Sequence, residues 1–385
     1  MFDNKHSYKN YYKSKRQVIA LPFMFILFIA ILVAGCKKDR LDNMGIDLTD
    51  IPYDPVEYQI VKPFDTYPNI PIPPDNPITL DGFELGRHLF YDPILSADSS
   101  MSCNSCHQQE ANFTDAGKAV SKGIAGIEGH RSSMSLLNAG LFTNKLFWDG
   151  RVDILEEQAL LPVEDPIELN NTWEEVIKRL QRHPEYPAMF RKAFGISNSS
   201  LITKELAAKA IAQFERALIP SGDAKYDRFK RGEIFFSDEE QFGFELFFDG
   251  NLGVKDAECG HCHNAPLFTT NEYFNNGLDS FPTLNDYIDK GRGGVTEKYI
   301  DMGTFRAPSL RNIMVTAPFM HDGRFATIEE VMEHYNSGGF SADNSSPLMR
   351  DINLNQEEIE AVIAFLHTLT DSTFLNDPRF SNPFE

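Results

Sequence analysis

The sequence predicts a mainly α-helical protein whose body consists of two similar halves. Several segments combine a helix-start pattern with apolar residues at helical spacing, and a set of short motifs occurs twice in the same order. In contrast, no stretch shows the sustained alternation of apolar and polar residues that a large sheet requires. Helices joined by loops should therefore form most of the fold.

The predicted helices begin where a capping residue stands three positions before a Glu, an arrangement that satisfies free backbone N–H groups in the first turn. The pairs are Asp81 and Glu84, Thr172 and Glu175, Ser237 and Glu240, Thr327 and Glu330, and Asn355 and Glu358. Apolar residues then recur at helical spacing, as they do from Ile359 to Leu366. Each of these segments is therefore predicted to be a helix with one apolar face.

A repeated order of motifs divides the body into two parts. Residues 89–92, 135–138 and 148–151 match residues 246–249, 309–312 and 321–324 in type and order. Such a repeat indicates that one ancestral unit occurs twice. We therefore predict an N-terminal domain at residues 78–225 and a C-terminal domain at residues 226–385.

Each predicted domain contains one C-x-x-C-H motif, formed by Cys103, Cys106 and His107 in the first and by Cys259, Cys262 and His263 in the second. In this motif the two thiols bind a haem covalently and the His nitrogen binds its iron. The sequence therefore predicts two haem c groups. The alternative is one zinc site built from both cysteine pairs, but the pairs are far apart in the chain and each is followed directly by His.

The N-terminus has the pattern of an export signal. Basic residues up to Arg16 precede an apolar run from Val18 to Val33, and small residues then lead to Cys36. This end resembles the lipobox of bacterial lipoproteins, which predicts a signal peptide at residues 1–35 and a lipid anchor on Cys36; an uncleaved signal anchor is the alternative. The body is then expected on the periplasmic side of a bacterial membrane, joined to the anchor by an extended Pro-rich tether at residues 36–77.

The charge balance indicates which partners suit the exported body. The formal net charge is −20, and it becomes −24 without residues 1–35, which carry five Lys or Arg and one Asp. Such an acidic surface disfavours nucleic acid and anionic membrane surfaces, and it attracts a small basic electron donor. A generally solubilising surface would have the same charge.

The two haem motifs, together with residues 147–151 and 318–323, resemble those of the bacterial dihaem cytochrome c peroxidase and MauG family. The resemblance covers nearly all of residues 80–370. It implies two cytochrome c-like helical domains packed face to face, with the haems facing a shared interface. It also implies a peroxide-reacting N-terminal haem, an electron-transfer C-terminal haem, and the homodimer common in this family.

The resemblance also assigns roles to individual residues. His107 and His263 match the iron ligands, and Trp148 matches the tryptophan that relays electrons between the haems. Glu168 matches the acid beside the peroxide site, where a partly buried carboxylate can move a proton from one peroxide oxygen to the other. Gln158 matches a residue that supports this site, as does Pro162.

Three departures from the family pattern affect these expectations. Ile124 occupies the position of the distal His of many dihaem peroxidases, so the peroxide haem is expected to be open; His130 is either a displaced ligand or a loop or propionate contact.

Tyr335 occupies the position of a Met ligand to the second haem, as in the MauG group, with Met332, Met302 and Met320 as alternatives. Calcium is expected between the domains at Thr316 and Pro318, with Ser132 in place of the family's Asn.

The sequence thus leaves three functions open. The first is a peroxidase that reduces hydrogen peroxide to water with electrons from a small donor such as cytochrome c or a cupredoxin. The second is a MauG-like oxidase in which two linked haems hold both oxidising equivalents and oxidise residues of a partner protein through Trp148. The third is a non-catalytic dihaem electron carrier, which has no use for Glu168 and Gln158 beside an open iron. Of these, we predict the peroxidase.

Overall fold

The computed structural model describes residues 45–142, 145–248 and 253–385. The predicted signal peptide and the lipidation site Cys36 lie outside these residues. Within them, no helix combines the length and the apolar character needed to cross a membrane.

Helices dominate the described part of the chain, which confirms that the fold is mainly α-helical. The α-helices are α1 (Leu80–Tyr91), α2 (Leu155–Gln158), α3 (Leu161–Glu164), α4 (Trp173–Arg182), α5 (Tyr186–Phe194), α6 (Lys204–Arg216), α7 (Lys225–Lys230), α8 (Asp238–Phe248), α9 (Cys259–Cys262), α10 (Gly293–Thr296), α11 (Ile328–Asn336), α12 (Gln356–His367) and α13 (Ser372–Leu375). Short 3₁₀ helices span Pro93–Leu95, Cys103–Ser105, Gln109–Ala111, Ala139–Leu141, Ser199–Leu201, Leu284–Asp286, Tyr299–Asp301 and Ile313–Val315. Two strands, β1 (Tyr273–Phe274) and β2 (Phe305–Arg306), form an antiparallel pair in which Tyr273 faces Arg306.

Four of the five predicted helix starts are confirmed, at the beginnings of α4, α8, α11 and α12. The fifth is wrong, because α1 is capped by Thr79 rather than by Asp81. The Thr79 hydroxyl accepts a hydrogen bond from the Gly82 N–H at 3.0 Å. Asp81 instead lies in the first turn, where its negative charge suits the positive end of the helix dipole.

Two helix pairs cross at glycines in the same manner. A Cβ on Gly86 of α1 would lie 2.0 Å from the Ala210 carbonyl oxygen of α6, and one on Gly243 of α8 would lie 1.8 Å from the Ala361 carbonyl oxygen of α12. No side chain other than hydrogen fits at such a distance. Both crossings therefore bring backbone against backbone, and each buries part of the apolar core.

The first half of the sequence is tied to the second by a pair of buried amides. The Asn312 Nδ2 group donates to Asn112 Oδ1 at 2.9 Å, and Asn112 Nδ2 donates to the Arg311 carbonyl at 3.1 Å. Asn312 Oδ1 in turn accepts from the Asp371 N–H at 2.6 Å. Both asparagines are at most 1% exposed, so these hydrogen bonds are shielded from water.

Residues 47–77 contain no helix or strand, yet they do not form a free tether. Leu48 is buried in the core, and the Tyr67 hydroxyl donates to Asn138 Oδ1 at 2.7 Å. The ring of Tyr58 stacks on Phe83 with centroids 4.4 Å apart. This part of the segment that the sequence predicts to be an extended tether therefore packs along the body.

Candidate functional site

The first C-x-x-C-H motif lines a cavity of about 890 Å³, which we call the first cavity. Cys103 begins a 3₁₀ helix, and the turn brings Cys106 and His107 to the same wall. The His107 Nδ1 atom lies 2.8 Å from the Phe113 carbonyl oxygen. Because a carbonyl only accepts, Nδ1 must carry the proton, and the lone pair of His107 is left on Nε2 for a metal.

The second motif lines another cavity, the second cavity, in the same way. α9 carries Cys259 and Cys262, and both line the cavity together with His263. The His263 Nδ1 atom lies 3.0 Å from the Pro308 carbonyl and 3.2 Å from the Phe268 carbonyl. His263 is therefore held in the same tautomer as His107, with Nε2 as the metal-binding atom.

These donor sets fit haem c and not zinc. All four cysteines are free of disulfides. Among the described residues, they do not come together in any group of three metal-binding side chains, so the two pairs do not make one zinc site. Each pair instead shares a roomy cavity with one oriented histidine, as covalent attachment of haem c requires.

Glu168 lines the first cavity, and the loop that contains Gly123 and Ile124 packs closely against its backbone. The Ile124 N–H donates to the Glu168 carbonyl oxygen at 3.0 Å. A Cβ on Gly123 would lie 2.1 Å from the Ile167 carbonyl oxygen, so the close approach needs glycine at this point. The position predicted for the family's distal His thus supports the backbone of Glu168.

The carboxyl of Glu168 is suited to proton transfer near neutral pH. Burial raises its pKa to about 7, with a further increase from Asp165 and an opposing effect of Arg151. Gln158 also lines the first cavity, and its buried Oε1 atom has no hydrogen-bond partner in the described part of the chain. A buried acceptor of this kind usually has a partner in the complete site. Pro162 lines the same cavity.

The structure brings His130 to the first cavity but leaves its side chain exposed. The next residue, Arg131, is fixed by ion pairs to Asp149 and Asp289, at 2.6 Å and 2.7 Å. His130 therefore lies on a loop that the ion pairs of Arg131 hold in place.

Trp148 lies in the wall shared by the two cavities. Its Nε1 group donates to the Ser132 carbonyl oxygen at 2.9 Å, and its ring centroid is 6.5 Å from that of His321. His321 in turn stacks on Phe305 at 3.6 Å. An aromatic group thus connects the two candidate haem sites, at the position that the sequence assigned to the relay.

Tyr335 lines the second cavity, as do Met320 and Met332. The Asn276 Nδ2 group lies 3.2 Å from the Tyr335 hydroxyl and 3.6 Å from the Met320 sulfur, so both candidate ligands meet the same amide. Met302 packs in a separate cluster with Leu284 and Tyr287, and it does not line this cavity. The structure therefore removes Met302 from the candidate ligands.

The three residues predicted to bind calcium all line the second cavity. However, the Ser132 hydroxyl donates to the Met320 carbonyl at 2.9 Å, and the Thr316 hydroxyl donates to the Ile313 carbonyl at 3.0 Å. Pro318 offers only a backbone carbonyl. A hydroxyl that donates its proton can still bind calcium through its oxygen, and the family resemblance assigns the backbone carbonyls of Thr316 and Pro318 to the ion. Calcium at this place therefore stays a prediction.

Sequence reasoning missed two buried ionisable residues at these cavities. Glu215 of α6 lines the first cavity, and burial raises its pKa to about 8. Arg306 of β2 lines both cavities and is 5% exposed. Neither residue belongs to a local motif, so the sequence held no signal for its burial.

Comparisons with known proteins match these observations. Residues 81–234 and 237–372 match the family described as di-haem cytochrome c peroxidase. The cytochrome-c peroxidase IdrP1 of Denitromonas iodatirespirans is 32% identical over 352 residues, which cover 84% of this chain and 91% of that protein. The methylamine utilization protein MauG of Methylophilus methylotrophus is 33% identical over 304 residues, which cover 78% of this chain and 86% of that protein.

A solved structure shares the fold. The crystal structure of a MauG-like protein associated with microbial copper homeostasis superposes with a TM-score of 0.77 at 35% sequence identity, covering 84% of this chain and 99% of that chain. The fold and its two cavities thus define a c-type cytochrome with two haem-binding centres. The chain belongs to the dihaem cytochrome c peroxidase family, and it is a peroxidase-class enzyme with two haem c groups.

Proposed function

We propose that this protein reduces hydrogen peroxide to two molecules of water, using two electrons and two protons per peroxide. The electrons come one at a time from a small donor protein, a cytochrome c or a cupredoxin. The observation that carries this proposal is the first cavity, where Glu168 and the unpartnered Gln158 acceptor share one space with Cys103, Cys106 and His107. A simple electron carrier has no use for such an arrangement.

Haem iron bound through His107 would supply the redox centre for cleavage of the peroxide bond, and iron bound through His263 would supply a second redox centre. Glu168 accepts the proton of one peroxide oxygen and delivers it to the other, which leaves as water. Gln158 Oε1 offers an acceptor that orients a peroxide O–H. Trp148 carries electrons across the wall between the cavities, since its indole ring lies in that wall.

The test is to mix hydrogen peroxide with the dihaem protein, once fully oxidised and once half-reduced, and to follow the haem absorption and the oxidation of an added reduced cytochrome c. We expect two molecules of donor to be oxidised for each peroxide consumed. If neither form consumes peroxide, the proposal fails and only the electron carrier is left.

A MauG-like oxidation of a partner protein is the second candidate. Tyr335 lines the second cavity, at the position where the MauG group has its tyrosine ligand, and this observation favours it. The same experiment separates the two functions. Rapid reaction of the fully oxidised form, without consumption of the donor, would favour the oxidase over the peroxidase.

We also propose that the two halves arose by duplication, with one haem domain at residues 78–225 and the other at 226–385. The matched glycine crossings at Gly86 and Gly243 and the matched orientation of the two histidines support this. Export, a lipid anchor on Cys36, a periplasmic location and a homodimer complete the proposal. Mass analysis of the mature N-terminus would test the anchor.

A further inference from the structure

Arg306 is a buried cation whose described contacts are all with neutral groups. Its Nη1 group donates to Asn271 Oδ1 at 2.9 Å, and Nη2 lies 3.5 Å from the Met134 sulfur. Its Nε group is buried and has no hydrogen-bond partner among the residues that the structure describes. Within the described ranges, the guanidinium therefore has a free donor and no carboxylate beside it.

Such a charge is costly to bury unless an anion accompanies it. Burial lowers the pKa of Arg306 to about 10, which still leaves the group charged at neutral pH. Elsewhere the fold pairs its buried arginines. Arg311 is bound by both carboxylate oxygens of Asp227, at 2.9 Å and 3.0 Å. Compared with Arg311, Arg306 therefore lacks an anionic partner among the described residues.

The position of Arg306 shows where the missing anion must lie. Its backbone N–H donates to the Trp148 carbonyl at 2.9 Å, and its guanidinium lies 4.9 Å from the centroid of the Phe142 ring. The side chain is thus held in the wall that both cavities share. Any anion that completes its contacts must come from one of these two cavities.

We propose that Arg306 binds a propionate carboxylate of the haem held in one of the two cavities. This inference depends on the two haems of the family and not on the proposed peroxide reaction. A haem propionate is a carboxylate, and the planar guanidinium fork matches a carboxylate with two parallel hydrogen bonds. The positive charge stabilises the reduced form of that haem, which carries one negative charge more than the oxidised form.

The experiment compares the Arg306→Gln and Arg306→Lys variants of the dihaem protein with the unmodified protein. Spectroelectrochemical titration measures the midpoint potential of each haem, and resonance Raman spectroscopy measures the propionate bending bands. We expect Arg306→Gln to lower the potential of one haem and to shift a propionate band of the same haem. Arg306→Lys should retain most of the potential but still shift the band, because lysine has no planar fork.

Arg191→Gln is the matched control, because the guanidinium of Arg191 also donates to neutral groups, the carbonyls of Ile51 and Gly195, but lines neither cavity. Its potentials and propionate bands should stay unchanged. Unchanged potentials and bands in Arg306→Gln, with both haems attached, would overturn the proposal. If Arg306→Gln does not keep both haems, unchanged propionate bands in Arg306→Lys would overturn the proposal instead.

A solvent anion at Arg306 is the remaining outcome that contradicts the proposal. The haem potentials of the unmodified protein would then depend on added phosphate or chloride, and the Arg306→Gln variant would lose this dependence without any change in the propionate bands. A bound propionate predicts no such dependence on added anions.

Discussion

At the scale of single residues, Glu168 provides the sharpest test of the proposed reaction. Glu168→Gln keeps the size of the side chain but cannot take up the proton of peroxide, so kcat/KM for peroxide should fall by about 100-fold or more. Stopped-flow mixing with peroxide measures this. Glu164→Gln, a change at an exposed neighbour, should leave the rate unchanged. Equal rates in both variants would remove Glu168 from the mechanism.

The raised pKa of Glu168 also fixes the pH dependence. Proton uptake needs the carboxylate, so kcat/KM should rise as the pH rises through about 7, and Glu168→Gln should lose this rise. Stability runs the other way. A carboxyl whose pKa is raised by folding stabilises the fold at low pH, and this contribution is lost as the pH rises through about 7. Glu168→Gln should therefore increase Tm relative to the unmodified protein at pH 8 but not at pH 5.

Trp148 is tested against the second tryptophan of the chain. Trp148→Phe should leave peroxide binding unchanged and slow electron transfer between the haems by about 10-fold or more, because an indole relays electrons better than a benzene ring. Trp173→Phe is the control, since its Nε1 group also donates to a backbone carbonyl, at 3.0 Å, but it lines neither cavity. Flash photolysis measures the transfer rate. Equal slowing in both variants would contradict the relay.

Tyr335 and Met320 compete for the same role at the second haem. If the phenol binds iron, Tyr335→Phe should change the absorption spectrum of that haem while Met320→Leu does not. Ordinary absorption spectroscopy of the two variants decides between them. The reverse pattern would assign the ligand to Met320, and no change in either would exclude both.

The haem-binding residues were predictable because covalent attachment requires both thiols and the His within five consecutive positions. Glu168 and Trp148 were predictable only through the family resemblance, since neither belongs to a motif of its own. Arg306 was not predictable at all. Its burial without a carboxylate arises from the packing of β2 against Trp148, a contact between residues far apart in sequence.

At the scale of helices, the crossing of α8 and α12 depends on Gly243. Gly243→Ala would place a Cβ against the Ala361 carbonyl, and the strain should destabilise the fold by roughly 1–3 kcal/mol. Gly294→Ala is the control, because the nearest atom to its added Cβ is Lys290 Cβ at 3.6 Å. Its effect should stay within about 0.5 kcal/mol. Thermal unfolding measures both, and equal Tm values would contradict the tight crossing.

The sequence predicted where these helices start better than it predicted which helices pack against each other. Local hydrogen bonds decide a cap, and the capping pairs therefore identified α4, α8, α11 and α12 correctly. The start of α1 was wrong because Thr79 offered an earlier cap than Asp81. Which helix crosses which is not a local property, so neither Gly86 nor Gly243 could be assigned a partner from the sequence.

At the scale of the whole molecule, the net charge of −20 predicts how donors reach the protein. Electrostatic attraction should speed encounter with a basic cytochrome c, and salt should screen it. We expect kcat/KM for a basic cytochrome c to fall about 10-fold or more between roughly 0.01 M and 0.2 M ionic strength. Steady-state kinetics measure this, with an uncharged small-molecule donor as the control. A rate independent of salt would show that donors bind elsewhere than at an acidic surface.

Asn112 and Asn312 hold the two halves together at a point that water does not reach. If the halves separated, both amides would lose their partners, which is costly for buried polar groups. If electrons cross between the cavities as proposed, we therefore expect a path of constant length, with no hinge opening before each transfer. We then expect the rate of the proposed turnover to depend on the arrival of donor and peroxide and on the chemistry at the cavities, and not on domain motion.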